Sequence, residues 1–186
     1  SDEVYHQIIF NEDVACSFLQ LSLPSDRLIV INSASKSFNM TGWRIGWLTH
    51  PEELGEHIAK LVQITTSGVP EFLQNGLISA LKNFKSITYD LKINLKKSRD
   101  LMFNRLMTWS KIQCTLPQAS FYAFFKVNDM NDSLQYAKHL IVKTNVGVAP
   151  GIAFGKSGEG HLRICFAANE KFINEVMDRL EPELNK

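Results

Sequence analysis

The sequence predicts an α/β fold in which a mixed sheet with helices is followed by a long helix and a small α+β domain. Three patterns favour this fold class: two strands that flank residue 40, one long amphipathic helix in the middle of the chain, and strands that alternate with helices beyond it. The predicted strands lie at residues 27–32, 43–48, 121–127, 146–149 and 161–166, and the predicted helices at 87–109 and 132–144.

The first two predicted strands flank a loop that contains a lysine. Branched apolar side chains fill residues 27–32, a pattern typical of a strand buried on both faces. Residues 43–48 alternate, which places apolar side chains on one face of the second strand. The connecting residues are small and polar. Pro51, followed by two glutamates, predicts that a helix begins directly after the second strand.

The second half of the chain is predicted to begin with a long helix and to end with a capped one. Apolar residues recur at steps of three or four over residues 87–109, so we expect this helix to connect two compact units. Asn169 is predicted to cap the closing helix. The inward residues expected on that helix are Ile173, Val176, Met177, Leu180 and Leu184.

The composition is that of a soluble globular protein and argues against several classes. The 186 residues carry a formal charge of +1, whereas a dedicated nucleic-acid-binding domain is usually basic. No apolar run approaches the roughly 18 residues that span a bilayer, and the first residues do not resemble a signal peptide. Cys16, Cys114 and Cys165 are odd in number and widely spaced, which predicts reduced thiols in a cytoplasmic protein without a metal site.

Residues 33–46, Ser-Ala-Ser-Lys-Ser-Phe-Asn-Met-Thr-Gly-Trp-Arg-Ile-Gly, are the most informative part of the sequence. Lys36 lies in a loop beside a predicted buried strand, and Arg44 follows on the returning strand. This pair suits a cofactor with an aldehyde at one end and a phosphate at the other, because an amine attacks a carbonyl and a guanidinium gives bidentate hydrogen bonds to phosphate. The hydroxyls of Ser33 and Ser35 are candidates to complete the phosphate site.

This segment resembles the lysine signature of the class I and II aminotransferases, which are fold-type I pyridoxal-phosphate enzymes of the aspartate aminotransferase type. The resemblance implies that Lys36 binds pyridoxal phosphate covalently and that Arg44, assisted by Ser33, binds its phosphate. The segment Asp-Glu-Val-Tyr at the chain start resembles another element of the family. By that resemblance Asp2 pairs with the pyridine nitrogen and Tyr5 donates a hydrogen bond to the 3-oxygen.

Further resemblances lie in the second half of the chain. Residues 161–167 resemble a late small-domain strand of the family, which implies that Arg163 binds the α-carboxylate of the substrate. Residues 148–155 resemble its Pro-Gly-x-x-Phe-Gly turn. Residues 117–122 resemble its first small-domain strand, although Ala119 stands where the family has glycine.

The resemblance covers nearly the whole chain and implies a domain organisation and a function. Residues 1–83 are expected to be the C-terminal part of the large domain that binds pyridoxal phosphate, 84–110 a connecting helix, and 111–186 the small C-terminal domain. The implied activity is a transaminase of amino-acid metabolism, active as a homodimer, that moves an amino group between an amino acid and a 2-keto acid. Because the family's N-terminal phosphate-binding turn is missing before Ser1, we expect a fragment with impaired activity.

Two alternatives remain open on the sequence alone. Other fold-type I enzymes, such as C–S β-lyases and the cyclopropane-forming ACC synthases, use the same lysine, so the cofactor is better predicted than the reaction. A catalytically silent module that acts through dimerisation is also compatible with the apolar strands and the long helix. The amino-acid substrate is not readable, because pocket residues outside these motifs select its side chain.

Overall fold

The computed structural model describes residues 1–11, 14–23 and 26–185. It is a mixed α/β structure with two compact units, Ser1–Lys92 and Ile93–Lys186. The first unit contains a two-stranded sheet and the second a four-stranded sheet. The boundary between the two units falls within a long helix.

The small sheet of the first unit joins the chain start to the lysine segment. Strand β1 (Val30–Ser33) pairs antiparallel with β2 (Gly46–Thr49), and the short helix α1 (Ala34–Ser37) follows β1 directly. The amide of Glu3 donates a hydrogen bond of 2.9 Å to the carbonyl of Ile31, so the first residues form a parallel bridge with β1. The chain start and α1 therefore lie on neighbouring segments.

The prediction of a strand over residues 43–48 is wrong in its first half. Thr41–Trp43 form a turn of 3-10 helix, and Arg44 has a left-handed backbone with a φ of 53°. A left-handed residue does not fit the pleat of a strand, so pairing begins only at Gly46. Strand β1 likewise begins later than the predicted position 27.

Helices follow the small sheet in the first unit. A 3-10 turn, Glu52–Leu54, follows Pro51 and leads into α2 (Gly55–Thr65), and α3 (Glu71–Lys82) comes next. Helix α4 (Phe84–Leu106) begins in this unit and ends in the second. The buried core of the first unit contains Ala34, Phe38, Ile45 and Ala80, with Met40, Trp47, Val69, Leu73, Leu77 and Ile87 packed against it.

The second unit is an antiparallel sheet with the strand order β3-β4-β6-β5. Its strands are β3 (Ile112–Cys114), β4 (Tyr122–Val127), β5 (Ala149–Pro150) and β6 (His161–Cys165), and its helices are α5 (Ser133–Thr144) and α6 (Glu170–Leu184). Strand β5 begins later than the predicted position 146, because the chain first leaves α5 through Asn145, its left-handed C-cap, whose amide donates to the carbonyl of Ile141.

Burial alternates along the central strands of this sheet and separates its two faces. Ala123 and Phe125 of β4, with Leu162 and Ile164 of β6, belong to the core. The core also contains Trp109, Leu140, Phe166, Ile173, Met177, Leu180 and Leu184. The period of two leaves Tyr122, Phe124 and Arg163 on the opposite, more open face.

The closing helix begins as the sequence predicts, with Asn169 as its N-cap. Its Oδ1 accepts a hydrogen bond of 2.8 Å from the amide of Phe172. We expect Asn169→Ala to lower the free energy of unfolding by about 1 kcal/mol, because one amide of the first turn loses its partner. Urea unfolding measures this change. Asn169→Asp keeps the acceptor and is the control; equal losses in both variants would contradict the capping role.

The three cysteines are free, and Cys114 on β3 differs from the others in burial. Burial raises the pKa of the Cys114 thiol from its ordinary value of 9.0 to about 11. Since the thiolate is the nucleophile, we expect Cys114 to react with iodoacetamide about a hundredfold more slowly at pH 8 than a thiol with an unshifted pKa. The rate should continue to rise up to pH 11. Peptide mapping that finds Cys114 labelled as fast as the exposed Cys16 would contradict this prediction.

Two features are absent from the described residues. In the described ranges, no helix is both long enough and apolar enough to cross a membrane. The same residues contain no cluster of three His, Cys, Asp or Glu side chains that could hold a metal ion.

Candidate active site

The loop that carries Lys36 is held by the hydroxyl of Ser33. Ser33 is the N-cap of α1, and its Oγ accepts a hydrogen bond of 3.0 Å from the amide of Ser35. The same hydroxyl donates to the carbonyl of Ile45 at 3.1 Å and so joins α1 to the segment that returns toward β2. Lys36 lies half-buried in this turn. The geometry fixes the backbone around the lysine.

Arg44 lies directly before the carbonyl that Ser33 contacts. Its left-handed backbone costs about 1 kcal/mol for a residue with a side chain, and such strain persists only where the surroundings hold it. The exposed guanidinium donates from Nη1 to the carbonyl of Thr41 at 2.9 Å. This leaves Arg44 anchored in its own loop beside the lysine turn, with further donors for a ligand.

The segment with Asp2 and Tyr5 is joined to the same region. Asp2 pairs with Ile31, which is two residues before Ser33. The hydroxyl of Ser37 donates to the carbonyl of Val4 at 3.4 Å. The exposed Asp2 carboxylate accepts a hydrogen bond of 3.1 Å from the amide of Val4, and Tyr5 lies half-buried in the turn that follows. The structure therefore places five predicted site residues, Asp2, Tyr5, Ser33, Lys36 and Arg44, on hydrogen-bonded neighbouring segments of one unit.

Arg163 is the predicted site residue of the other unit and lies on β6. Its Cζ is 4.1 Å from the ring centroid of Tyr122 and 4.3 Å from that of Phe154. Within the described part of the chain, no carboxylate forms an ion pair with the half-buried guanidinium and no group accepts a hydrogen bond from it. A half-buried cation whose donors have no protein acceptor is suited to bind an anion.

The sequence motifs assign no role to the two rings beside Arg163. Tyr122 and Phe154 lie in the segments 117–122 and 148–155, which resemble elements of the family, but their contact with Arg163 depends on strand register. Phe124 pairs with Arg163 across β4 and β6, so Tyr122 is its diagonal neighbour on the same face. The sequence does contain a signal for this contact, because aromatic residues stand at every second position on a strand that neighbours the arginine.

Most of the chain matches one known protein family. The family model described as "Aminotransferase class I and II" matches residues 1–180. An aspartate aminotransferase of Pyrococcus abyssi is 31% identical over an alignment of 189 positions, which covers 100% of this chain and 48% of that protein. An LL-diaminopimelate aminotransferase of Natranaerobius thermophilus is 34% identical over 97% of this chain and 46% of its own length. The chain thus spans about half the length of the curated relatives it matches.

Solved structures give the same result. A crystal structure of an aromatic aminotransferase from Pyrococcus horikoshii superposes with a TM-score of 0.90 at 30% identity, covering 98% of this chain and 49% of that one. The aspartate aminotransferase of Thermotoga maritima gives a TM-score of 0.85 at 32% identity, covering 100% of this chain and 47% of that one. The family model and the solved structures agree with the motifs around Lys36, and the chain therefore belongs to the class I and II aminotransferases.

Proposed function

We propose that this chain is the part of an aminotransferase that carries the reactive lysine and the substrate-binding arginine. The reaction is transfer of an amino group between an amino acid and a 2-keto acid. The observation that carries this proposal is that the lysine turn is joined to the segment with Asp2. Asp2 forms a bridge with Ile31, and the hydroxyl of Ser37 donates a hydrogen bond to the carbonyl of Val4. The relatives named above are aminotransferases, so they do not favour the lyase or silent-module alternatives.

The residues present fit pyridoxal phosphate, the cofactor expected from family membership. This cofactor has an aldehyde, a ring nitrogen, a 3-oxygen and a phosphate. Lys36 offers an amine for the aldehyde, Asp2 a carboxylate for the ring nitrogen, and Tyr5 a phenol for the 3-oxygen. Arg44 and Ser33 offer a guanidinium and a hydroxyl for the phosphate. Each of the four groups has a partner of suitable chemistry, and all five residues belong to one unit.

Each of these side chains has a role that follows from its chemistry. When bound, pyridoxal phosphate supplies an electron sink that stabilises negative charge at the substrate Cα. Lys36 attaches the cofactor and, once its amine is released, moves a proton at the substrate Cα. The carboxylate of Asp2 holds a proton at the ring nitrogen, and the hydroxyl of Tyr5 donates to the 3-oxygen. Arg44 and Ser33 bind the phosphate, whose charge the guanidinium offsets.

Arg163 binds the α-carboxylate of the substrate in this proposal. An amino acid and a 2-keto acid share that carboxylate, so one arginine serves both halves of the reaction. A guanidinium pairs with a carboxylate through two parallel hydrogen bonds, which fixes the direction of the substrate as well as its position. The absence of a protein acceptor among the described residues supports this role.

The proposed domain organisation follows the family. Residues 1–83 form the C-terminal part of the large domain that binds pyridoxal phosphate, 84–110 a connecting helix, and 111–186 the small C-terminal α+β domain. The division into two compact units and the bounds of α4 support this organisation. Limited proteolysis tests it, since cleavage should be slow within each domain.

We also propose a cytoplasmic homodimer. The three free cysteines support a reducing compartment, where disulfides are rare. Exposed apolar residues on α2 and α3 support self-association, since Ile64 is 81% and Phe72 is 71% exposed. Light scattering of the purified chain measures its mass and tests the dimer directly.

A half-reaction tests the proposed activity. The chain is incubated with stoichiometric pyridoxal phosphate and a mixture of amino acids, and the products are separated by chromatography. An aminotransferase gives pyridoxamine phosphate and 2-keto acid in equal amounts. Both amounts should exceed those in a control reaction that contains bovine albumin instead of the chain. A 2-keto acid released with ammonia but without pyridoxamine phosphate would assign the chain to the lyases instead.

A further inference from the structure

We propose that Tyr122 and Phe154 are positioning residues that hold the guanidinium of Arg163 with its N–H edge available to a substrate carboxylate. The inference rests on the proposed function, because it concerns the residue assigned there to the substrate. Arg163, Tyr122 and Phe154 are called the Arg163 cluster below.

The two rings come from elements on the two sides of strand β6. Tyr122 lies on β4, which pairs with β6 on one side, and Phe154 lies in the 3-10 turn Gly151–Phe154 that follows β5 on the other. The register places Phe124 and Ala149 directly opposite Arg163. The arginine therefore lies on the central strand of three, with an aromatic ring supplied from each neighbouring segment.

Contact with ring faces uses a part of the guanidinium that hydrogen bonding does not need. The Cζ atom lies over both rings, at 4.1 and 4.3 Å from their centroids. A guanidinium stacks on aromatic rings through its flat face, whereas its five N–H donors point outward in its plane. The contacts thus limit rotation of the side chain and leave the donors for a planar anion. A carboxylate fits this arrangement through two parallel hydrogen bonds.

The rings are themselves held by neighbouring contacts. Phe154 meets the ring of Phe124 edge to face at 5.8 Å between centroids. The chain before Tyr122 is fixed by Arg99, a buried residue of α4 whose Nη1 donates to the carbonyl of Pro117 at 3.0 Å. Such support reduces the entropy that Arg163 loses when it binds a ligand, so the cluster should act through affinity.

Nuclear magnetic resonance of the full chain gives a test that does not depend on activity or on the cofactor. The Nε–H signal of Arg163 is assigned by its loss in Arg163→Lys. In the wild-type chain the nearby rings should shift this signal upfield of the other arginine signals. Tyr122→Leu and Phe154→Leu should each move it toward those signals, whereas Tyr122→Phe, which keeps the ring, should not.

Titration with propionate, a carboxylate without an amino group, then measures binding. We expect propionate to move the Arg163 signal and neutral propionamide to leave it in place. Tyr122→Leu and Phe154→Leu should each weaken propionate binding about fivefold, within the range of a cation–π contact. Tyr122→Phe and the matched control Phe172→Leu, at an exposed ring of α6, should bind like the wild type.

The outcomes separate the positioning role from the proposed function. If propionate moves the Arg163 signal but both leucine variants bind it with wild-type affinity, the positioning role is overturned and the substrate role of Arg163 stands. If the signal is ring-shifted in the wild type and propionate leaves it in place, the carboxylate role of Arg163 is overturned. Amide spectra of each variant show whether the second unit remains folded. If Tyr122→Leu does not fold, Tyr122→Phe and Phe154→Leu still decide the question.

Discussion

Lys36→Ala should abolish covalent attachment of pyridoxal phosphate at this site. It should also lower the rate of amino transfer by a factor of about 10²–10⁴, which is the range for loss of a positioned acid-base group. The reason is that, in the proposed function, Lys36 provides both the amine that reacts with the aldehyde and the base at the substrate Cα. Reduction with borohydride followed by peptide mapping measures the attachment. In the wild-type chain the modified residue should be Lys36 at cofactor concentrations that leave surface lysines unmodified.

Lys60 provides a matched control for this experiment. Its side chain is 70% exposed on α2 and forms an ion pair of 3.9 Å with Glu56, so Lys60→Ala should change neither the labelling of Lys36 nor the rate. Lys36→Arg keeps the positive charge but lacks the reactive amine, and it should behave like Lys36→Ala. Wild-type labelling spread evenly over the exposed lysines would refute the assignment of Lys36.

Much of the local structure could be predicted because it depends on neighbours in the sequence. Asn169 caps α6 through an amide three residues later, and apolar residues spaced by three or four define α4. The hydrogen bond from Ser33 to Ile45 joins two parts of a single motif. The family itself was predictable for the same reason, since residues 33–46 contain most of the signature in one uninterrupted stretch.

The remaining features depend on register and on backbone conformation, which the residue pattern does not fix. Alternation predicts a strand over residues 43–48, but Arg44 adopts a left-handed backbone and divides that segment. The contact of Arg163 with Tyr122 required the pairing of Phe124 with Arg163, which no local pattern specifies. The assigned roles of Asp2, Tyr5, Ser33, Lys36, Arg44 and Arg163 stay predictions, because the structure gives their positions and not their function.

Gly151→Ala should destabilise the second unit by about 3 kcal/mol, at the upper end of the cost of overpacking. A Cβ at this position would lie 1.9 Å from the carbonyl oxygen of Gly158 and 2.6 Å from that of His161. Both are backbone atoms, so no side chain can rotate away to make room. To relieve this overlap, the turn Gly151–Phe154 must move away from β6. The turn directly follows Pro150, which pairs with Leu162. Urea unfolding measures the loss of free energy.

Gly147→Ala is the matched control for this prediction, because the nearest atom to its added Cβ is Ile141 Cδ1 at 3.7 Å, an ordinary contact distance. We expect this variant to change the free energy of unfolding by less than about 1 kcal/mol. Movement of the turn would also carry Phe154 away from Arg163, so Gly151→Ala should reduce the ring shift of the Arg163 Nε–H signal while Gly147→Ala should not. Equal stability of the two alanine variants would show that the close approach of Gly151 and Gly158 does not hold this turn in place.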